Sequence, residues 1–198
     1  MKKSLLVVLM AVAMVAPAFA AKGDMSVNAK VGLGVSNSYK MTGIDGDSND
    51  VYMGVKAKTP FSVGAEFFYA TSDILSVGVG ANYILDSETT IGSTKLKGGT
   101  TNIYVAVKPE FKVESDFFTS VYLIGQLGLA MPRYDWNGYS PSVDSGIYLG
   151  AGFGTTIKDA FLVELVFSSS NGSVSEDGDS FDVQYTATTI NVGYKFNI

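Results

Sequence analysis

The chain has no cysteine and no histidine in its 198 residues. Without cysteine there is neither a disulfide framework nor a point of lipid attachment at a bacterial lipobox. Lacking both, it cannot use Ser-His-Asp or Cys-His catalysis, nor a metal site built on His or Cys, and no cofactor is expected. Charge is sparse too: 17% of residues are charged against 46% hydrophobic, with a formal net charge of −5. No basic cluster interrupts that acidic balance, which argues against a nucleic-acid partner. Long apolar runs are the third absence. Past residue 20 no stretch reaches the roughly 18 consecutive apolar residues that a spanning helix requires.

Residues 1–20 read as a secretory signal. Lys2 and Lys3 form a charged start, Leu5 to Ala16 an apolar run too short to span as a helix, and Ala18-Phe19-Ala20 a small-x-small cleavage site. Cleavage after Ala20 or Ala21 is expected, leaving 21–198 as one exported domain.

Within that domain, segments at about 25–37, 51–70, 75–85, 102–113, 119–131, 145–157, 161–168 and 189–198 alternate apolar and polar residues. A period of two gives a strand one greasy and one polar face. The second segment keeps its apolar side on odd positions, among them Val55, Phe61, Val63 and Phe67, but contains Pro60. Proline cannot donate to a ladder, so a bulge or a protruding strand is expected there. The connections 71–74, 114–117 and 158–160 are short; 38–50, 86–101, 132–144 and 169–182 are long and polar.

This rhythm predicts an all-β fold, an eight-stranded antiparallel up-and-down transmembrane β-barrel with short periplasmic turns and long outer loops. Each crossing needs only about 9–11 residues, and every second one faces lipid, which reconciles an apolar composition with the missing runs. A periplasmic or secreted sandwich or lipocalin-like barrel is the alternative. A lipocalin would turn its apolar face inward, yet here the other face holds glycines, hydroxyls and a few charges. Phe67, Tyr69, Phe111, Phe117, Phe118, Phe161, Tyr194 and Phe196 lie near short turns or the C-terminus, where a periplasmic aromatic girdle is expected.

The final ten residues carry the sharpest motif. Asn191, Gly193, Phe196 and Ile198, with Tyr194 among them, fill a polar-x-Gly-x-x-apolar-x-apolar pattern that resembles the C-terminal assembly signal of Gram-negative outer-membrane barrels. Ile198 departs from the aromatic residue usual at its end. Signal, segments, loop rhythm and end motif together resemble the small eight-stranded barrels of the OmpA-transmembrane-domain and OmpX type. The resemblance implies integral outer-membrane localisation, contact with outer-membrane lipid and lipopolysaccharide, and handling by periplasmic chaperones and the barrel assembly machinery. Cell-wall anchoring does not carry over, since no peptidoglycan-binding domain is expected after Ile198. Nor does the resemblance reach the outer-membrane palmitoyltransferase, deacylase, phospholipase and omptin protease, which all use a histidine.

The expected function is accordingly a non-enzymatic integral barrel protein, structural or surface-interacting through its long loops with an unnamed ligand; the alternative is a narrow porin-like channel. On inward parity and near short turns or a chain end stand Lys30, Glu66, Lys108, Glu110, Lys112, Glu164 and Lys195. An eight-stranded interior is just wide enough for side chains, so these charges are expected to pair and plug the lumen. Tyr104, Tyr122 and Tyr148 would fill the space above, with inward glycines relieving the crowding. The run 45–50 begins like a calcium loop, but Asp50 stands where glycine is required and Lys56 where glutamate is. The run 176–179 shares only its composition. The segment 133–139, with the sole tryptophan Trp136, is expected to anchor at the outer interface or meet a surface ligand.

Overall fold

Pro60 does divide the second segment, and the division shapes the whole wall. In the computed structural model, which describes residues 23–44, 50–56, 59–91, 94–176 and 179–198, the strands are β1 Met25–Ile44, β2 Asp50–Lys56, β3 Phe61–Ser72, β4 Leu75–Ile91, β5 Thr94–Lys112, β6 Phe118–Trp136, β7 Val143–Ile157, β8 Phe161–Glu176 and β9 Asp179–Asn197. Each pairs antiparallel with its neighbour, and β9 returns to β1 from Gly43↔Phe181 down to Ser26↔Asn197, closing the ring. β2 and β3 share one place in that ring, β2 beside the upper part of β1 and β3 beside the lower. The result is eight antiparallel strands in a closed barrel. The expected signal peptide and most of the acidic run 45–50 lie outside the described residues, as does the side chain of Val55.

Pro60 sits opposite a bulge in β1, where the register slips between Gly34 and Ser36. The two irregularities fit each other: Gly34 N–H donates to the Pro60 carbonyl at 2.8 Å, and a Cβ on Gly34 would lie 2.6 Å from Pro60 Cδ. Glycine is needed there for close approach rather than for an unusual backbone. Below the bulge odd residues of β1 face out, as with Val31 and Leu33; above it Asn37 and Tyr39 turn inward. An extra residue in one strand swaps its faces.

The lower wall follows the alternation read from the sequence. Val31, Val63, Val79, Ile103, Leu123, Phe153 and Val192 are exposed on the outside, the surface a membrane barrel gives to hydrocarbon. Toward the short turns, Phe117 and Phe118 pack edge to face at 5.0 Å, Phe161 and Tyr194 at 5.4 Å, and Tyr194 lies 4.6 Å from Phe196. The expected girdle needs one correction. Tyr69 is buried, together with its neighbour Phe68; the regular alternation of β3 ends here, with a register slip between Ala70 and Ser72 and a bond from Ala70 N–H to the Asp24 carbonyl.

The larger correction concerns the long loops. Most of 38–44, 86–91, 94–101, 132–136 and 169–176 is strand, so the wall continues well above its apolar belt. Period two persists there with the chemistry reversed. Outward positions become Ser38, Lys40, Lys97, Arg133, Asp135, Gln184 and Thr186, while Tyr39, Ile84, Leu96, Tyr134, Val174, Val183 and Tyr185 form a buried cluster inside. Polar outside and apolar inside is how a water-exposed β-structure is built.

The ring also loosens at this height. Pairing of β3 with β4 stops at Ser62↔Ile84, and pairing of β6 with β7 stops at Ala130↔Gly146. Among the described residues, β4, β5 and β6 then form one sheet and β7, β8, β9, β1 and β2 another. Ile84, Leu96 and Tyr134 from the first face Tyr39, Val183 and Tyr185 from the second. Pro60 marks one seam and Pro132 with Pro141 the other, in keeping with proline's lack of a ladder donor.

Candidate functional site in the lumen

The inward residues of β5 give a ruler through the bore: Lys112, Glu110, Lys108, Ala106, Tyr104, Asn102, Thr100 and Leu96, from the short-turn mouth upward. Charge is confined to the lower part. Lys30 on β1 places its ammonium 2.7 Å from Glu66 Oε1 on β3 and 2.8 Å from Glu164 Oε2 on β8, and all three side chains are buried. Both carboxylates receive further donors. Tyr104 OH donates to Glu66 Oε1 at 2.9 Å and Gln126 Nε2 at 3.1 Å, while Tyr122 OH donates to Glu164 Oε1 at 3.0 Å. Tyr148 OH in turn donates to Gln126 Oε1 at 2.7 Å. These bonds serve Glu66 Oε1 and Glu164 Oε1 as a buried ion pair requires, whereas Glu66 Oε2 is buried with no hydrogen-bond partner among the described residues.

Nearer the mouth, Lys108 and Glu110 form a separate pair at 3.0 Å. The Lys108 ammonium also lies 4.8 Å from the ring centre of Phe68 and 5.0 Å from that of Tyr122, so ring faces offset part of its lost hydration. Ser120 Oγ donates to Glu110 Oε1 at 2.5 Å. Lys112 and Lys195 line the open mouth and, among the described residues, have no carboxylate within 4.0 Å. The seven charged residues singled out in the sequence therefore form a triad, a pair and two separate lysines.

Glycines make room for the large inward rings. A Cβ on Gly80 would lie 2.6 Å from the Tyr104 ring, and one on Gly154 would lie 2.7 Å from the Tyr122 ring. Above the tyrosines the lining becomes neutral: Thr100 and Ser170 donate to Asn102 Oδ1, and Asn102 Nδ2 donates to Asn82 at 2.8 Å. A cavity of about 20 Å³ beside Lys30, lined also by Asn82, Gln126 and Asn191, has room for about one water. Higher still stand the rings of Tyr39, Tyr134 and Tyr185, with Tyr39 OH donating to the Gly98 carbonyl at 2.6 Å. No group of three or more acidic residues that could hold a metal occurs among the described residues.

A ring that closes β9 on β1, greasy outside and charged within over its lower part, is the architecture of an outer-membrane barrel. A match to the outer membrane protein β-barrel domain covers residues 4–196. The chain belongs to that family. None of the curated proteins compared matches it. Among solved structures, neisserial surface protein A is 16% identical, over 88% of this chain and all 100% of that one, with a TM-score of 0.50. OprG from Pseudomonas aeruginosa is 15% identical over 88% and 96% of the two chains, TM-score 0.49. Ail, the attachment invasion locus protein of Yersinia pestis, is 16% identical over 89% and 100%, TM-score 0.45. At such identities the likeness concerns the fold alone.

Sequence reading missed several groups on this outer-membrane barrel. Gln126 and Phe68 are inward by parity and touch the charged residues, but neither is charged, so neither drew notice. Arg133, expected in a loop, lies on β6 with its guanidinium 4.3 Å from the Tyr83 ring centre. It donates to Thr101 Oγ1 at 2.8 Å and the Ile84 carbonyl at 3.1 Å, and pairs with Asp86 at 3.3 Å across the bare Cα of Gly99. This stack sits at the upper edge of the apolar belt. Of the assembly-signal residues, Tyr194 and Phe196 are exposed on the outer wall, Ile198 is exposed at the short-turn mouth, Asn191 faces Gly32, and Gly193 packs against the Ala29 carbonyl.

Proposed function

We propose that this barrel is a non-enzymatic integral outer-membrane protein with a structural or surface-interaction role, its lumen plugged by charge. The observation that carries the reading is Lys30 held between Glu66 and Glu164. Those residues come from β1, β3 and β8, so the triad spans a substantial arc of a bore already narrow for eight strands. A permeating ion would have to displace buried charges that are paired with one another and hydrogen-bonded. The aromatic cluster above adds a second obstruction of different chemistry. The lack of histidine and cysteine supports a role other than catalysis. What such a barrel presents to its surroundings is chiefly the raised polar wall and the ends of its hairpins, in contact with outer-membrane lipid and lipopolysaccharide.

A narrow channel is the competing reading, favoured by the wide short-turn mouth. Planar-bilayer recording of the refolded protein decides between them. The expected result is no steady conductance from the wild type, with fluctuating openings only after Glu66→Ala or Glu164→Ala. Large, stable, ohmic steps from the wild type would reverse the assignment.

A further inference from the structure

The short-turn mouth of the lumen is a bowl of about 720 Å³, within the roughly 300–1,000 Å³ typical of small-ligand sites. Its wall carries Lys108, Lys112 and Lys195 against a single inward glutamate, Glu110. That glutamate is already engaged by Lys108 at 3.0 Å and by the hydroxyls of Ser120 and Thr156. Lys195 also acts on the Glu110 charge from across the bore, yet neither it nor Lys112 reaches a carboxylate within 4.0 Å among the described residues. Two ammonium groups are thus left without a contact ion pair in a concave site with a packed floor, a shape that concentrates their field. Asp24, Asp73, Asp159 and the C-terminal Ile198 stand at the exposed rim with Lys112, where water and salt screen charges of both signs over about 8–10 Å, so recognition depends on direct contact and is strongest at low salt.

We infer that this bowl binds a compact multivalent oxyanion from the periplasmic side, with Lys112 and Lys195 as its two anchors and the Lys108–Glu110 pair as its floor. Lysines act as point charges and lack arginine's planar fork, so the site selects for charge and size rather than for one oxyanion geometry. Phosphate and carboxylate groups both satisfy it. The ligand binds and leaves by the same mouth. The inference relies on the closed-lumen reading only for its floor, and conductance tests that floor separately: a conducting protein that still binds anions loses the plug and keeps the bowl.

Purified protein, refolded in neutral detergent at low salt, is titrated with pyrophosphate and, separately, with citrate. Calorimetry and backbone amide shifts are the readouts. At least one anion should bind saturably, with shifts centred on Lys112, Ser120 and Lys195. Which of the two binds names phosphate or carboxylate as the source, and binding of both with similar affinity assigns recognition to charge alone. The Lys112→Gln/Lys195→Gln double variant should weaken binding at least about tenfold, whereas Lys97→Gln, which removes the same charge at the far end of the barrel, should not. Heat-modifiable migration verifies that each variant is folded. If the double variant fails to refold, Lys112→Gln alone, at the exposed end of β5, must still weaken binding. No saturable binding of either anion, or equal losses from Lys97→Gln and the lysine-mouth variants, would overturn the assignment.

Discussion

The lower and upper halves of this barrel use the same strands and the same two-residue period to opposite ends. β9 shows it without complication, because it has no register slip against β8 and never exchanges its faces. Its outward side chains run Asp182, Gln184, Thr186 and Thr188, then Ile190, Val192, Tyr194 and Phe196. Its inward ones run Val183, Tyr185 and Ala187, then Thr189, Asn191, Gly193 and Lys195. The strand stays as it is while its surroundings change from water to hydrocarbon. Apolar surface is driven from water, so above the belt it turns inward and within the belt it can face lipid. β1 solves the same problem differently, with the Gly34/Ser36 bulge. The lesson is that the core of a β-wall is defined by what lies outside it.

The largest expected effect concerns closure of the lower half. β9 seals the ring against β1, and Ile198 N–H still donates to the Met25 carbonyl at 2.9 Å. Deleting the last three residues, or Phe196→Asp, should abolish assembly in cells and leave periplasmic aggregates or fragments. The heat-modifiable band of the outer-membrane fraction is the measurement, and normal surface levels of the deletion would refute a role for this end in assembly. Replacing Ile198 with Phe should be tolerated, since that side chain is 78% exposed.

Next come the interiors, which the comparison says are held by different forces. In the lower half Lys30→Ala leaves Glu66 and Glu164 as two buried carboxylates without their cation, and urea unfolding in lipid should show a loss of about 3–5 kcal/mol. The upper half offers a milder counterpart. Tyr39→Phe keeps the ring in its cluster and removes only the hydroxyl, with its bond to the Gly98 carbonyl and its longer contact with Ser87 Oγ, which should lower stability by about 0.5–1.5 kcal/mol. If the two losses prove equal, the halves do not differ in what holds them.

The lower wall was legible in the sequence because each strand there places four or more apolar residues on one parity, as Ile103, Val105, Val107 and Phe111 do on β5. The upper wall was not. Outside β9 its inward apolar residues are single and widely spaced, such as Leu96 and Tyr134, and the Ser, Asp, Gly and Thr around them have the composition of loops. Pro60 announced a break, but the bulge that answers it lies on a different strand. Inward parity alone points to the charged lumen residues. Their pairing depends on barrel tilt and cross-strand register: Lys30 and Glu164 are 134 positions apart. The same distance hid Gln126, whose importance comes from touching Glu66.

The outer walls give a range of effects that ends in the smallest. Val105 lies between Val79 and Leu127 in the ladder, in the middle of the apolar belt. Arginine there should destabilise the refolded barrel by about 2–4 kcal/mol. Leu149 is flanked by Leu127 on one side but by Ser169 on the other, which puts it near the belt's upper edge; arginine at that depth should cost only about 0–1 kcal/mol. Thr186 faces outward higher still, with its hydroxyl 2.7 Å from that of Ser38. Thr186→Arg loses one half-buried hydroxyl contact and places its charge in water, so the change should stay within about 0.5 kcal/mol. Urea titrations of the three variants in the same lipid should therefore rank Val105 above Leu149 above Thr186. A cost at Thr186 equal to that at Val105 would mean that the upper wall stands in hydrocarbon, and its polar outward face would then need another explanation.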